Sequence, residues 1–406
     1  MYRNKRLLLW ICYLCVFIMC IPNNPKFPTI VKYAIDALLL LSYMFSVGLF
    51  FIHKYYRRIA LYWLYLWLFW VIVATILNGT DVLGAVKLIA PLFCSSICTM
   101  YLCDYDIHNV YRIISWMFTI LLVIQLYTMI NHVYGTVYTQ GKYVYYYFFG
   151  IRVAINKIAP FAAFFGLISA GFGNKKSPIS LIISTFCGLY FAIGEKVSTC
   201  IVCYTVIALT LMVSKFIRSE HFWRNIGILF LLLSSLFVIL YAGDELLFRW
   251  LLEDILNESI TLSGRTSIWN QAFSYMKGIH WLIGNGYGHN YYFYLGKHWV
   301  AQVTHNQYLE TVFKYGIIGL IIYIMMCMTQ LRVNTGKKND FISRVFFSTF
   351  IAMIIIQIPA TVFEKVYYYI FYVASLYLPI VSEYAKNDRR RTIRIRLFKP
   401  KRVIQK

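Results

Sequence analysis

Long apolar runs separated by short polar segments are the main feature of this chain. About twelve runs, each of roughly 20 residues, lie near 7–21, 34–52, 59–77, 85–103, 110–130, 153–172, 178–194, 197–214, 226–241, 311–330, 345–363 and 366–383. That length is what an α-helix needs to cross the hydrocarbon of a bilayer. The pattern predicts an all-α polytopic membrane protein with about twelve transmembrane helices.

The first apolar run allows two interpretations. Arg3, Lys5 and Arg6 precede a short apolar core, which is also the arrangement of a signal peptide. No small-residue cleavage site follows the core, and the two prolines in 21–25 favour a turn. We therefore interpret the run as the first helix.

The longest polar segment, 242–305, separates the ninth and tenth apolar runs. Leucines and Trp250 recur at helical spacing over 244–252, which predicts a helix lying in the plane of the membrane interface. A second helix is predicted after Ser263, a residue type that favours the helix N-cap. The apolar face of this second helix consists of Ile268, Trp269, Phe273 and Met276.

Composition supports the membrane location and gives the charge a meaning. Hydrophobic residues make up 60% of the chain and charged residues 14%, and the mean hydropathy is +0.63. A net charge of +23 would suggest nucleic-acid binding in a soluble protein, but neither a basic face interleaved with aromatic residues nor a nucleic-acid-binding motif accompanies it. With a cytoplasmic N-terminus, the basic clusters all fall on one side of the membrane, at 54–58, 175–176, 215–224, 332–344 and 389–406.

This positive-inside pattern predicts that both termini are cytoplasmic and that the basic tail lies on anionic lipid headgroups. The predicted regions are helices 1–9 in 1–241, a large helical extracytoplasmic loop in 242–305, helices 10–12 in 306–383, and the tail in 384–406.

The same orientation exposes several cations on the outer surface. Three segments lie there, namely 131–152, 195–196 and 242–305. They carry Arg152, Lys196 and Arg265, and Asn156 follows Arg152 at the start of the next helix. A structural role explains each of these cations, taken alone, as well as a functional role does. Several of them on one surface, together with a histidine, favour an anion-binding site.

A histidine and a carboxamide stand where the outer loop becomes an apolar helix. They are His305 and Asn306, with Glu310 on the next turn and Gly316 and Gly319 further along the apolar run. At such a junction polar groups can meet a substrate anchored in lipid, and a neutral imidazole suits proton transfer near neutral pH. The structural alternative is that His305 is an interfacial residue that caps the next helix.

Cysteine and histidine do not favour metal or redox chemistry here. All ten cysteines fall within predicted spans, where they serve as small hydrophobes, including the CxxC pairs Cys12–Cys15 and Cys200–Cys203. Lys87 is a charged residue inside a predicted span, where a charge is costly. Its side chain either reaches back to the membrane interface or faces an internal cavity. Irregular spacing favours a solvated loop over a zinc site for His280, His289, His298 and His305. We expect no metal and no cofactor.

Cations, aromatic side chains and access to lipid together suit the diphosphate of a lipid-linked sugar. The fork of an arginine matches two phosphate oxygens, and a lysine supplies a point charge. During glycan transfer the leaving diphosphate gains negative charge, which preorganised cations stabilise without a metal. A histidine can accept the proton of the attacking hydroxyl.

The segment 260–320 resembles bacterial O-antigen ligases and the related O-antigen and capsule polymerases. The resemblance rests on His305-Asn306, followed after nine residues by Gly316-x-x-Gly319. It also rests on two upstream patterns in the order of that family, Ser263-Gly264-Arg265-x-x-Ile268-Trp269 and Gly284-Asn285-Gly286-Tyr287-Gly288.

The resemblance implies metal-independent, inverting transfer of glycan from an undecaprenyl-diphosphate donor at the bacterial inner membrane. It implies that His305 is the base and Arg265 the loop arginine on the diphosphate. Arg152 and Lys196 stand where the family usually has basic residues at outer helix ends. Lys196 departs from the family pattern, in which an arginine commonly follows a serine, because Glu195 precedes a lysine here.

Two reactions fit this resemblance. A polymerase joins one lipid-linked repeat unit to the chain on another lipid carrier, whereas a ligase moves finished glycan to a lipid A core. The aromatic-rich segment 131–152 suits recognition of a repeat unit and favours the polymerase, with a chain-length regulator as a candidate partner. A flippase of lipid-linked glycans is the alternative from another class. A metal-dependent membrane glycosyltransferase usually needs carboxylates in its first outer loop. That class is disfavoured because the loop 21–32 has neither Asp nor Glu.

Overall fold

The computed structural model describes residues 2–22, 24–139, 142–150, 155, 158–171, 177–241, 265–295, 299–335 and 341–384. Within these residues the chain is a helix bundle. Its helices are α1 Tyr2–Cys20, α2 Thr29–Ile52, α3 Tyr62–Leu77, α4 Val82–Tyr105, α5 Ile107–Ile130, α6 Ala159–Gly171, α7 Ser177–Gly194, α8 Ser198–Val213, α9 Glu220–Tyr241, α10 Arg265–Tyr275, α11 His280–Ile283, α12 Gln307–Val333, α13 Phe341–Gln357 and α14 Val366–Leu376, followed by a helical segment at 378–384.

A helix is found at each of the twelve predicted spans. Five are long and apolar enough to cross a membrane: α2, α3 with the helical turn before it, α4, α5 and α12. Others, including α6, α13 and α14, are shorter apolar helices. These are the helices of an integral membrane protein, and the number of crossings stays a prediction.

Burial separates central helices from peripheral ones. Almost every side chain of α6 and α14 is buried by the rest of the protein. By contrast, α2 leaves most of its apolar side chains exposed, which is what a lipid-facing helix does in a bilayer. Lys87 also lies on an exposed face, that of α4, so it does not face an internal cavity.

The predicted span 345–363 is wrong at its end. α13 stops at Gln357, two residues before Pro359, because a proline disfavours the helical conformation of the residue before it and cannot donate a backbone hydrogen bond. The segment 358–365 is therefore largely free of helix, and it carries Glu364 into the interior of the bundle.

Two short antiparallel hairpins, which were not predicted, interrupt the all-α pattern. Strands β1 Thr136–Thr139 and β2 Lys142–Tyr145 form the first, and β3 Phe293–Leu295 and β4 Trp299–Ala301 form the second. The second hairpin lies in the large loop, which is thus helical only in part. The helix predicted after Ser263 is confirmed as α10, and Ile268, Trp269 and Met276 are buried as predicted. The helix predicted at 244–252 lies outside the described residues.

The helices run between two ends of the bundle. α3 ends and α4 begins beside the segment 284–288, where the Tyr287 N–H donates to Thr75 Oγ1 at 3.2 Å. α4 finishes at the other end, where Asp104 accepts from Arg58 at 2.8 Å and from the Tyr377 hydroxyl at 2.7 Å. We call these the glycine-loop end and the Asp104 end.

Three of the segments predicted to be extracytoplasmic share the glycine-loop end. The segment 142–150 contacts the turn between α7 and α8, because the Tyr147 hydroxyl donates to Glu195. The ring of Phe149 lies 6.1 Å from that of Tyr367 in α14, which begins next to Glu364. The described basic clusters at 54–58, 215–224 and 332–335 lie towards the Asp104 end. Which end faces the cytoplasm stays a prediction.

Candidate active site

The helix that follows His305 is broken at Gly316. Gly316 has φ +68° and ψ −175°, which divides α12 into two helical pieces. A Cβ on Gly316 would overlap the carbonyl oxygen of Leu282 and the backbone nitrogen of Ile283. Glycine fits here because it tolerates a positive φ and lets two stretches of backbone approach closely.

The backbone carbonyls released by the break are satisfied by the segment 284–288, which we call the glycine loop. The N–H of Asn285 donates to Phe313 O, and the N–H of Gly286 donates to Lys314 O, both at 2.9 Å. An unpaired carbonyl costs several kcal/mol where no water can reach it. The glycine loop therefore makes a broken helix possible in this buried part of the bundle.

The glycine loop needs its glycines for the same close approach. Gly284 and Gly286 have φ of +76° and +78°, and a Cβ on Gly284 would overlap the Lys314 carbonyl. On another side of the break, the indole N–H of Trp70 donates to Tyr315 O at 2.8 Å. The break is thus held from both the outer segment and α3.

A tight turn at 304–306 leads into α12. Asn306 is the N-cap, because its Oδ1 accepts from the Leu309 N–H at 3.0 Å. His305 is half-buried and has φ +56°, a left-handed conformation that residues other than glycine rarely adopt. Asn306, and not His305, is therefore the N-cap of α12, and the catalytic role of His305 stays a prediction.

Glu310 supports this turn from below. Its buried Oε2 accepts from the N–H of Thr304 at 2.7 Å and from the Thr304 hydroxyl at 2.8 Å. The indole N–H of Trp269 in α10 donates to the Thr304 carbonyl at 2.9 Å. With Thr304 held in this way and Asn306 capping the helix, both neighbours of His305 are fixed in place.

Glu310 also belongs to a buried chain of charges. Lys314 Nζ lies 2.8 Å from Glu310 Oε1 and 3.1 Å from Glu364 Oε2, and its side chain is only 8% exposed. Glu364 accepts a further hydrogen bond from the Tyr315 hydroxyl at 3.0 Å. Because Lys314 is shared by two carboxylates, its charge is already neutralised within the protein.

His289 packs against the first piece of α12. Its ring lies perpendicular to that of Phe313 with centroids 4.8 Å apart, and its Nδ1 accepts from the Tyr291 N–H at 3.3 Å. Burial lowers the pKa of His289, so the neutral ring is favoured. The prediction of a solvated histidine is wrong at this position. Among the described residues, no group of three or more His, Cys, Asp or Glu side chains is placed to hold a metal.

The remaining predicted site residues either lie at the glycine-loop end or fall outside the described residues. Arg265 is the first residue of α10, one helical turn before Trp269. Lys196 is exposed in the turn between α7 and α8, at the same end of the bundle. A Cβ on Gly319 would lie 2.5 Å from the Cβ of Tyr315, so Gly319 leaves room for the Tyr315 side chain beside the break. Predicted residues that lie outside the described ones are Arg152, Asn156 and His298.

Sequence reasoning missed Lys314 and Glu364. The spacing of Glu310 and Lys314 by four residues was a visible signal, because it places both on one face of a helix. Glu364 had no such signal, since it was assigned next to the end of an apolar span and its partner lies 50 residues away.

Comparison with known proteins supports the resemblance over one part of the chain. A family model described as O-antigen ligase matches residues 182–324, roughly a third of the chain. The matched residues run from α7 through the break in α12 and contain the glycine loop and His305. The resemblance to the O-antigen ligase and polymerase family is thus confirmed for this region. No curated protein matches the sequence.

Proposed function

We propose that this chain is a membrane glycosyltransferase that polymerises a surface polysaccharide such as O-antigen or capsule, with its reacting groups at the glycine-loop end. The family match supports a membrane enzyme of the O-antigen ligase and polymerase type in general terms. The observation that carries the particular assignment is His305, which is held in a left-handed conformation between two fixed neighbours.

His305 acts as the general base in this proposal. Its neutral imidazole accepts the proton of a sugar hydroxyl on the lipid-linked acceptor, and the hydroxyl oxygen bonds to the anomeric carbon of the donor. The bond from that carbon to the undecaprenyl diphosphate breaks with inversion, and the diphosphate leaves with the electron pair. Fixed neighbours keep the imidazole in one place, which lowers the cost of reaching the transition state.

The diphosphate needs cations other than Lys314. Because Lys314 is paired with Glu310 and Glu364, its binding of a third anion would break a buried ionic contact. The proposal therefore assigns this role to Arg265, Arg152 and Lys196, the basic residues of the outer segments. Arg265 has the strongest case, since its helix contacts the turn that holds His305.

The aromatic segment at 131–150 favours the polymerase over the ligase. Tyr145 is exposed and stacks on His132 with ring centroids 4.1 Å apart, in a hairpin at the glycine-loop end. Flat exposed rings of this kind suit contact with the apolar faces of sugars. A polymerase must recognise a specific repeat unit on both donor and acceptor, so a dedicated surface is expected.

The decisive experiment replaces His305 with Ala in a polymerase-null strain that carries the repeat-unit pathway. We expect the ladder of surface polysaccharide to collapse to single repeat units while the protein still inserts at wild-type level. Asn306→Ala is the matched control, because it removes the helix cap and leaves the imidazole; it should retain part of the chain length. A normal ladder with His305→Ala would remove His305 from the mechanism.

The diphosphate assignment has its own test at Arg265. Arg265→Ala should abolish polymer formation, and Arg265→Lys should retain only a part, because a point charge replaces a bidentate fork. Equal polymer in wild type and Arg265→Ala, at matched membrane levels, would contradict the assignment.

A flippase is the second candidate, because the structure shows a discontinuous helix. Transporters bind anionic substrates at breaks in transmembrane helices, and α12 is broken at Gly316. Reconstituted vesicles separate the two functions. Lipid-linked oligosaccharide should be elongated without loss of accessibility on the original leaflet if the chain is a polymerase. Translocation of single units without elongation would favour the flippase.

A further inference from the structure

A second polar site lies at the Asp104 end, far from His305. It is a cleft between α1 and the start of α5, with a volume of about 440 Å³. That size falls within the range of small-molecule sites. Its polar and aromatic lining consists of Arg6, Trp10, Tyr13, Asp106, Asn109 and Arg112.

The carboxylate in the cleft is already satisfied by neutral donors. Asp106 accepts from the Tyr13 hydroxyl at 2.8 Å and from Asn109 Nδ2 at 2.7 Å. Asn109 in turn accepts from the guanidinium of Arg112 at 2.7 Å through its Oδ1. One fixed network therefore runs from α1 to Arg112 and orients that guanidinium towards the cleft.

Both guanidinium groups retain capacity for an anion. In the described part of the chain, neither Arg6 nor Arg112 has a carboxylate within ion-pair distance, whereas Arg58 at the same end pairs with Asp104. Two arginines face one aspartate, so the cleft carries excess positive charge. Guanidinium groups bind phosphate oxygens through paired N–H donors.

The rest of the lining is apolar. Leu9 and Ile113 complete the cleft, and Trp10 is 66% exposed beside it. Lys5 lies 6.0 Å above the ring of Tyr105, which adds a third cation near the same rim. Tryptophan, tyrosine and basic residues near the end of apolar helices mark the level of lipid headgroups. The ligand that fits has an anionic head and an apolar tail.

We propose that this cleft binds the phosphate group of an anionic phospholipid from the leaflet at the Asp104 end. Arg6 and Arg112 hold the phosphate oxygens, and an acyl chain follows Leu9 and Ile113 along the bundle. The bound lipid joins α1 to α5 and so stabilises their packing. Because the cleft and His305 lie at opposite ends, the proposal is independent of the glycosyltransferase assignment.

The test uses the full-length protein, delipidated in detergent, with short-chain phosphatidylglycerol as the probe. Binding is read by native mass spectrometry and by the shift in melting temperature. Phosphatidylglycerol should bind wild type and raise its melting temperature, and the double variant Arg6→Gln/Arg112→Gln should bind it roughly tenfold more weakly or worse. Lys54→Gln/Arg57→Gln removes the same charge from the same end but outside the cleft, and it should bind like wild type.

Three outcomes would overturn the proposal. The first is equal binding of phosphatidylcholine, which carries no net charge. The second is the same loss of binding in the Lys54→Gln/Arg57→Gln control, which would show a general charge effect and no cleft. The third is stabilisation by inorganic phosphate alone that equals that of the lipid, which would identify a free anion as the ligand. If the double variant fails to fold, Arg112→Lys provides the intermediate case, with weakened but measurable binding expected.

Discussion

The two ends of the bundle hold ionic groups in opposite ways. At the glycine-loop end, Lys314 is 8% exposed and lies between two carboxylates at 2.8 and 3.1 Å. At the Asp104 end, Arg58 is 44% exposed and lies 2.8 Å from Asp104. The distances are alike, but burial decides the energies. An exposed pair contributes about 0–1 kcal/mol, whereas a buried pair that loses one partner costs about 3–5 kcal/mol.

The difference has a consequence for function. The buried charges at the glycine-loop end connect the turn at His305, the break at Gly316 and the segment 358–365, so these parts move or stay together. The Asp104 end holds its ion pair at the surface of the protein, and its cleft is open to a ligand. The first arrangement suits a preorganised reacting site and the second suits exchange with lipid.

Removing the shared cation should produce the largest effect. Lys314→Met leaves the buried carboxylate of Glu310 without its ion-pair partner and removes the contact with Glu364, and we expect a loss of about 3–5 kcal/mol in the free energy of unfolding. Arg58→Met at the other end should cost no more than about 1 kcal/mol. Reversible unfolding in SDS at matched lipid content measures both. Equal losses in the two variants would show that burial does not separate the ends.

Removing the two carboxylates together with the lysine distinguishes the effect of charge from that of packing. The triple variant Lys314→Met/Glu310→Gln/Glu364→Gln should recover a large part of the stability lost in Lys314→Met, because both carboxylates that faced Lys314 are then neutral. If the triple variant is less stable than Lys314→Met alone, the contribution of Lys314 is packing and not charge.

A side chain at the break in α12 should give the next largest loss of stability. Gly316→Ala places a Cβ at φ +68° against the Leu282 carbonyl, and we expect a loss of about 1–3 kcal/mol and of polymer formation. Gly48→Ala in α2 is the matched control, because nothing lies within 4 Å of its added Cβ. Thermal unfolding monitored by size-exclusion chromatography measures the stability of both variants, and the polysaccharide ladder measures polymer formation. A fully stable and active Gly316→Ala would mean that the break is dispensable.

Sequence patterns predicted the helices better than they predicted how the helices end. Apolar periodicity placed α1 to α5 to within a few residues, because a bilayer requires long uninterrupted helices. It failed at 358–365 and at Gly316, where buried tertiary contacts replace the helical hydrogen bonds. Such contacts depend on residues distant in the chain and leave no period in the sequence.

The candidate site was predicted in the same uneven way. His305, Asn306 and Glu310 were visible because they are polar residues at the start of an apolar run. Thr304 was not assigned a role, and Trp269 was assigned only to the apolar face of its helix and to the family pattern, not to the turn at His305. Their roles depend on α10 lying against the turn at 304–306, which no local pattern specifies.

Loosening the turn at His305 should change stability less than the variants above and should shorten the polysaccharide. Glu310→Gln keeps an oxygen that can accept from Thr304 but loses the charge that faces Lys314, so polymer should shorten only in part. Glu310→Ala removes both interactions and should approach the His305→Ala phenotype. The length distribution of the polysaccharide, at equal protein levels, is the measurement. Wild-type length in Glu310→Ala would show that the turn does not need this support.

The smallest effect on stability is expected from the protonation of His289 at mildly acidic pH. Burial lowers the pKa of His289 from the ordinary value of 6.5, so the unfolded chain takes up a proton at a higher pH than the folded chain does. Stability should therefore fall as the pH drops below about 6.5, until the folded pKa is passed and the difference becomes constant. His289→Gln, which cannot titrate, should flatten this slope in melting temperatures measured between neutral and mildly acidic pH. Phe313→Leu, which loosens the contact but keeps the imidazole, should lower stability throughout and retain a slope. An unchanged slope in His289→Gln would assign the acid sensitivity to groups elsewhere.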